Sequence, residues 1–315
     1  MKLKRLISIA VSVGLLLFIY TQIDFQGLLQ VFRQSDAFWM VVSLGMVVPI
    51  TLVTSWRLQQ LMPRKATLGL WEANRLILAA STLNMVLPSK MGDIAKAYFM
   101  RERGHLSGSL SLSLVIFEKT CDMLSLLLWC VFGLLFYPQQ DGLFGVMTAG
   151  VAGGLVLGLL LLGSRQFAVL FFSTLIKLTP KKLSAKLKEL HISWDEMHRY
   201  FWSDKAQLLK ISVTSIFIWF LHLLQIWLFI LALKAQVPFL VNLALSPLAI
   251  LAGLLPLTFA GVGTRDAALI LFYQPYFDAA TGAALGLLCT SRYFLPAIGG
   301  LPFLGQFLSV VRKQS

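Results

Sequence analysis

The chain has 315 residues, of which 57% are hydrophobic and 13% charged, with a formal net charge of +13. Several apolar runs approach the roughly 20 residues that cross a bilayer as a helix, which excludes an ordinary soluble domain. The alternating ~10-residue segments of an outer-membrane barrel are absent.

The composition predicts an all-α polytopic membrane protein. In a soluble protein such positive charge would point to nucleic acid. Here the basic residues gather in a few loops, where the orientation rule accounts for them, so no nucleic-acid partner is expected. Cys121, Cys130 and Cys289 lie in apolar runs without metal-ligand spacing, and the four histidines form no zinc motif. They read as small buried side chains and as no metal site, and no cofactor is expected.

Residues 1–5 are basic and 7–20 apolar. Thr21-Gln22-Ile23-Asp24-Phe25 offers no small-residue cleavage site, so a retained first helix with a cytoplasmic N-terminus is expected. A second span covers about 38–56. It returns to a basic loop holding Arg57, Arg64 and Lys65, with Trp56 and Trp71 as interfacial anchors.

Next comes Asn84-Met85-Val86-Leu87-Pro88-Ser89-Lys90-Met91-Gly92-Asp93. Proline and glycine break the helix here. The preceding apolar arm, about 76–87, is too short to span. Arg75 stands before it, and Lys90, Lys96, Arg101 and Arg103 after it. Basic residues on both sides place both ends in the cytoplasm, which predicts a re-entrant hairpin; the alternative is a full span.

The third span, about 109–137, carries Glu118, Lys119 and Asp122. Glu118 and Asp122 are four apart and share a helix face. Charge at that depth is costly unless it meets a polar cavity or a partner. The fourth span is about 143–163. Residues 165–210 hold nine Lys or Arg, and Leu183, Leu187, Leu190, Trp194, Met197 and Phe201 form one stripe of an amphipathic helix. It lies either on anionic lipid or against other parts of the chain.

The fifth span is about 211–233. A second broken stretch follows, Leu254 to Asp266, with Pro256, Gly261, Gly263, Thr264, Arg265 and Asp266. Its arms are about 241–255 and 267–272. The final run, about 279–311, contains Arg292 and ends inside at Arg312 and Lys313. For that to hold, the second hairpin must open to the exterior and the first to the cytoplasm. The result is about six full spans plus two broken hairpins in an inverted repeat, half one about 1–140 and half two about 141–315. Broken segments at corresponding places in two halves point to a transport site. Glu118 and Arg292 sit in corresponding spans with opposite sign. They either meet each other or find local partners.

At these residues the chain resembles the lysylphosphatidylglycerol synthase transmembrane-region family, also called flippase-like membrane proteins. The resemblance rests on Trp56-Arg57-Leu58, Asn84 through Asp93 with Tyr98, Phe117-Glu118-Lys119 with Asp122, Gly261-x-Gly263-x-Arg265-Asp266, and Arg292 with Pro296 and Gly299-Gly300. It covers nearly the whole chain. The family often has Arg where Lys119 stands, and usually Glu where Asp266 stands. The resemblance implies a protein of the cytoplasmic membrane that moves an anionic or aminoacylated phospholipid, while a separate enzyme synthesises that lipid. It implies no enzymatic activity for this chain. A membrane-embedded transferase or subunit in lipid modification is the alternative. The head-group path would comprise Asn84, Pro88, Lys90, Gly92, Asp93, Glu118, Asp122, Gly261, Gly263, Arg265, Asp266 and Arg292.

Overall fold

A computed structural model describes residues 25–63, 66, 68–86, 91–136, 142–254 and 263–305. Among them there is no β-strand. The helices in order are α1 (Phe25–Gln34), α2 (Ala37–Gly45), α3 (Val47–Leu61), α4 (Leu70–Val86), α5 (Met91–Gly104), α6 (Gly108–Leu135) and α7 (Gly142–Gly163). Then follow α8 (Arg165–Leu178), α9 (Lys181–Ser203), α10 (Lys205–Ala232), α11 (Phe239–Gly253), α12 (Thr264–Phe272) and α13 (Ala279–Gly300). The expected first span, 7–20, lies outside the described residues.

Four apolar runs are long enough to cross a membrane: Ala37–Leu61, Gly142–Gly163, Lys205–Ala232 and Ala279–Phe303. Helix α6 has 28 residues, about 42 Å at the usual rise, but carries the three deep charges. Helix α7 leaves Val146, Val156, Leu159 and Leu160 exposed, as a lipid-facing helix does.

The expected 38–56 span needs correction at its end. Helix α3 runs on to Leu61 and stops before Pro63, whose ring ends a helix. Arg57 is therefore a helical residue and not a loop charge.

The chain divides into two compact units. The first is Met1–Val48, Leu126–Ala152 and Trp219–Tyr293; the second is Pro49–Ser125, Gly153–Ile218 and Phe294–Ser315. Each draws on both sequential halves. Every change of unit falls inside a helical run, in Ala37–Leu61, α6, α7, α10 and α13. The two broken stretches do not change unit: α4 and α5 belong to the second, α11 and α12 to the first.

In the second unit, α4 and α5 pack on each other. Gly92 is essential to that approach, since a Cβ there would lie 2.2 Å from the Ala80 carbonyl oxygen. Helix α4 is also fastened to the end of α13. Thr82 Oγ1 donates to the Ala297 carbonyl at 2.6 Å, and a Cβ on Gly300 would fall 2.1 Å from the Leu78 carbonyl oxygen. The C-terminal part of the α9 stripe, Trp194, Met197 and Phe201, is buried in protein, with Leu190 packed against it. Phe201 stacks on Phe117 at 3.7 Å, Trp194 and Met197 join the same core, and Trp194 Nε1 donates to the Leu161 carbonyl at 3.1 Å. Of the two expectations for this helix, packing against the chain is the one observed for its apolar face.

In the first unit, α11 and α12 form the other helical pair. Tyr273 Oη is 2.8 Å from Ser246 Oγ and donates to Asn242 Oδ1 at 3.1 Å; Asn242 Nδ2 donates to the Leu223 carbonyl at 2.9 Å. Buried polar groups held in this way keep the hairpin in register with α10.

Candidate functional site

Six charged side chains converge in the second unit. Helix α3 supplies Arg57, α5 supplies Asp93 and Lys96, and α6 supplies Glu118, Lys119 and Asp122. Arg57 Nη2 donates to Glu118 Oε1 at 3.0 Å, and its Nη1 donates to an Asp122 carboxylate oxygen and to Ser215 Oγ at 2.9 Å. Lys96 Nζ donates to the other Glu118 oxygen and lies 3.8 Å from Asp93. Lys119 Nζ is 3.3 Å from Asp93 Oδ1.

The cluster is graded. Arg57, Lys96 and Glu118 are each 2% exposed, whereas the Lys119 side chain is 47% exposed. Glu118 thus has a cation on each carboxylate oxygen, at a depth where an unpaired charge costs several kcal/mol. Such pairing mainly prevents a penalty, and a buried ion pair is weak evidence of stability by itself.

Arg57 and Lys96 were missed as site residues, because the orientation rule spent them as loop charge. Their helical spacing carried a signal. Arg57 adjoins the buried stripe Ile50, Leu58, Leu61, and Lys96 follows Gly92 by four and precedes Met100 by four. Of the two alternatives for Glu118, local partners are the ones observed: its cations are Arg57 and Lys96, within its own unit.

Asn84 holds the start of α5. Its Oδ1 accepts from the Gly92 N–H at 2.9 Å, satisfying an orphan donor in the first turn of α5. Pro88, Lys90 and Gly261 lie outside the described residues.

The first unit holds the remaining candidates. Gly263 adopts φ 103°, a backbone region that favours glycine. Its N–H donates to Asp266 Oδ2 at 3.1 Å at the start of α12. Arg265 Nε and Nη2 both donate to Asp266 Oδ1, at 2.9 and 2.6 Å, and Nη2 also reaches the Gly286 carbonyl at 3.0 Å and Thr290 Oγ1 at 2.6 Å. Arg265 and Asp266 therefore neutralise each other while locking α12 to α13. Arg292 donates through Nη2 to Tyr293 Oη at 3.0 Å.

Buried charge networks and two short helical pairs, set among long apolar helices, define a multi-pass membrane protein with polar interior sites. The chain belongs to the family described as the lysylphosphatidylglycerol synthase TM region, whose model matches residues 5–300. Comparison with curated proteins gives no match.

Proposed function

We propose that this protein is a lipid translocator of the cytoplasmic membrane, which lets the polar head group of a phospholipid or lipid-linked amphiphile cross the hydrocarbon. The observation that carries this reading is the graded cluster of Arg57, Lys96, Glu118, Asp93, Asp122 and Lys119. A head group must cross ~30 Å of apolar medium, and charged side chains are retained at such depth where they serve a polar path.

Loop charge and the order of the elements support an inverted arrangement. On this reading the hairpins enter from opposite sides, with both termini in the cytoplasm and a separate enzyme making the lipid. The family's link to a lipid-modifying synthase agrees with a lipid substrate.

Reconstitution tests it. Purified protein in liposomes should relocate a labelled phospholipid between leaflets without altering its mass. A changed lipid mass would assign the chain to lipid chemistry. No relocation, with or without an ion gradient, would end the translocator reading.

A further inference from the structure

Helix α7, one of the runs long enough to cross a membrane, ends at Gly163, and α8 begins at Arg165 with Ser164 as its cap. Helix α8 therefore starts where the chain leaves the hydrocarbon. Two tryptophans of α9 are held at the same level. Trp194 Nε1 donates to the Leu161 carbonyl at 3.1 Å and Trp202 Nε1 to the Leu162 carbonyl at 2.9 Å, both among the carbonyls that the last turn of a helix leaves without an internal partner. Ser113 Oγ of α6 donates to the Ser193 carbonyl, and Arg165 Nε donates to Asp195 Oδ1 at 2.6 Å. From Ser193 to Trp202, α9 thus runs along the ends of α6 and α7. Helix α8 lies beside it, with Phe172 stacked on His191 and close to Trp194.

Ala168 and Phe172 are the side of α8 that meets the core. The opposite side carries Leu170, Thr174 and Leu178, four residues apart on one face, with Lys177 at its edge, and all four are exposed. Leu170 is 64% and Leu178 78% exposed, as uncovered as the lipid-facing Val146 and Leu159 of α7. Only Thr179 and Pro180 separate α8 from α9. The lysines that open α9 therefore follow directly on Leu178. Residues 177–188 hold five lysines, at 177, 181, 182, 186 and 188, and no Asp or Glu occurs from Gly142 to Lys188. Apolar side chains beside unbalanced positive charge, at the level where a span ends, fit a lipid surface with anionic head groups. The leucines enter the boundary of the acyl region and the lysines meet the phosphates. An acidic protein would answer the lysines but would leave Leu170 and Leu178 without a reason.

We propose that the outer face of α8 and the α8–α9 turn seat on an anionic membrane surface, as a peripheral anchor for the helix that closes the ends of α6 and α7. The partner is the bulk surface and not a transported lipid, so the proposal stands or falls independently of the translocator reading.

The full chain with Thr174→Cys as its one cysteine, carrying a fluorophore, tests it in nanodiscs that contain a nitroxide-labelled lipid. In discs rich in phosphatidylglycerol the nitroxide should quench the probe. Salt at about 0.5 M, or discs of phosphatidylcholine, should cut the quenching by about half or more. Lys177→Gln with Lys188→Gln should move the salt midpoint lower, and Leu178→Gln should weaken quenching at every salt concentration. Arg33→Gln, the same change of charge at an exposed position of α1, should do neither. Equal quenching in the two lipids, quenching indifferent to salt, or a midpoint unmoved by the lysine changes would overturn the proposal. Should a variant fail to fold, the salt and lipid dependence of the otherwise unchanged protein decides. Absence of quenching in both discs would also overturn it, and saturable binding of polyglutamate in its place would assign the surface to an acidic protein.

Discussion

Lys96 and Glu118, twenty-two positions apart, meet as a buried ion pair that ties the α4–α5 hairpin to α6. Arg57 holds the other oxygen of the same carboxylate. The pair of helices is thus anchored by charge at its second arm and by close packing at its first.

The first prediction follows from this sharing. Glu118→Gln leaves two buried cations short of a partner, and breaking a buried pair from one side costs about 3–5 kcal/mol. The double change Glu118→Gln with Lys96→Gln should cost less than the sum of the single changes. Thermal unfolding in detergent measures both. Strict additivity would mean that the contact carries no coupling.

A second prediction concerns sidedness. Lys188, exposed on α9, and Gln274, exposed between α12 and α13, should label from opposite sides when each is made the single cysteine. Native Cys121, Cys130 and Cys289 are free and buried, and are replaced for the test. Labelling of both positions from one side would sink the inverted arrangement.

A third prediction uses two glycines as a matched pair. Gly300→Ala would force a methyl against the Leu78 carbonyl and the Thr82 hydroxyl, whereas nothing lies within 4 Å of a Cβ on Gly142. Overpacking of this kind costs about 1–3 kcal/mol. Gly300→Ala should lower the melting temperature and Gly142→Ala should leave it unchanged. Equal melts for the two variants would show that α4 and α13 separate freely.

The fourth prediction concerns acid. Hydrogen bonding from Arg165 holds the Asp195 carboxyl below its ordinary range, and burial holds His198 below the usual histidine value. Both groups therefore bind fewer protons folded than unfolded. The stability they lend α9 is present at neutral pH and is lost as pH falls, first below about 6.5 for His198, then below about 4 for Asp195. Hydrogen exchange across α9 should lose protection in that order. His198→Gln should remove the upper step and Asp195→Asn the lower. Protection that rises on acidification would contradict the sign.

Much of the helical layout was legible because apolar run length and proline position are local properties. The long runs, the two short broken pairs and the amphipathic α9 all follow from them. The partners of Glu118 were not legible by the same means. Arg57 follows the interfacial Trp56, and Lys96 stands among other basic residues, so composition alone assigns both to water. Their burial is decided by which side of α3 and α5 faces α6, and that is a property of packing. The Asn84 contact was not legible for a related reason: a short amide beside a broken helix suits a ligand and a backbone N–H equally, and only the approach of α5 to α4 brings the Gly92 N–H to it.

The bond from Thr82 to Ala297 spans 215 positions of the chain. A ribosome that has just delivered α4 must therefore add most of the protein before the acceptor exists. Until then the Thr82 hydroxyl has only the Leu78 carbonyl of its own helix, and the surface that will receive Gly300 stays open. The insertion machinery or surrounding lipid must occupy that surface throughout elongation, so the last turns of α13 act as the closing piece of biogenesis.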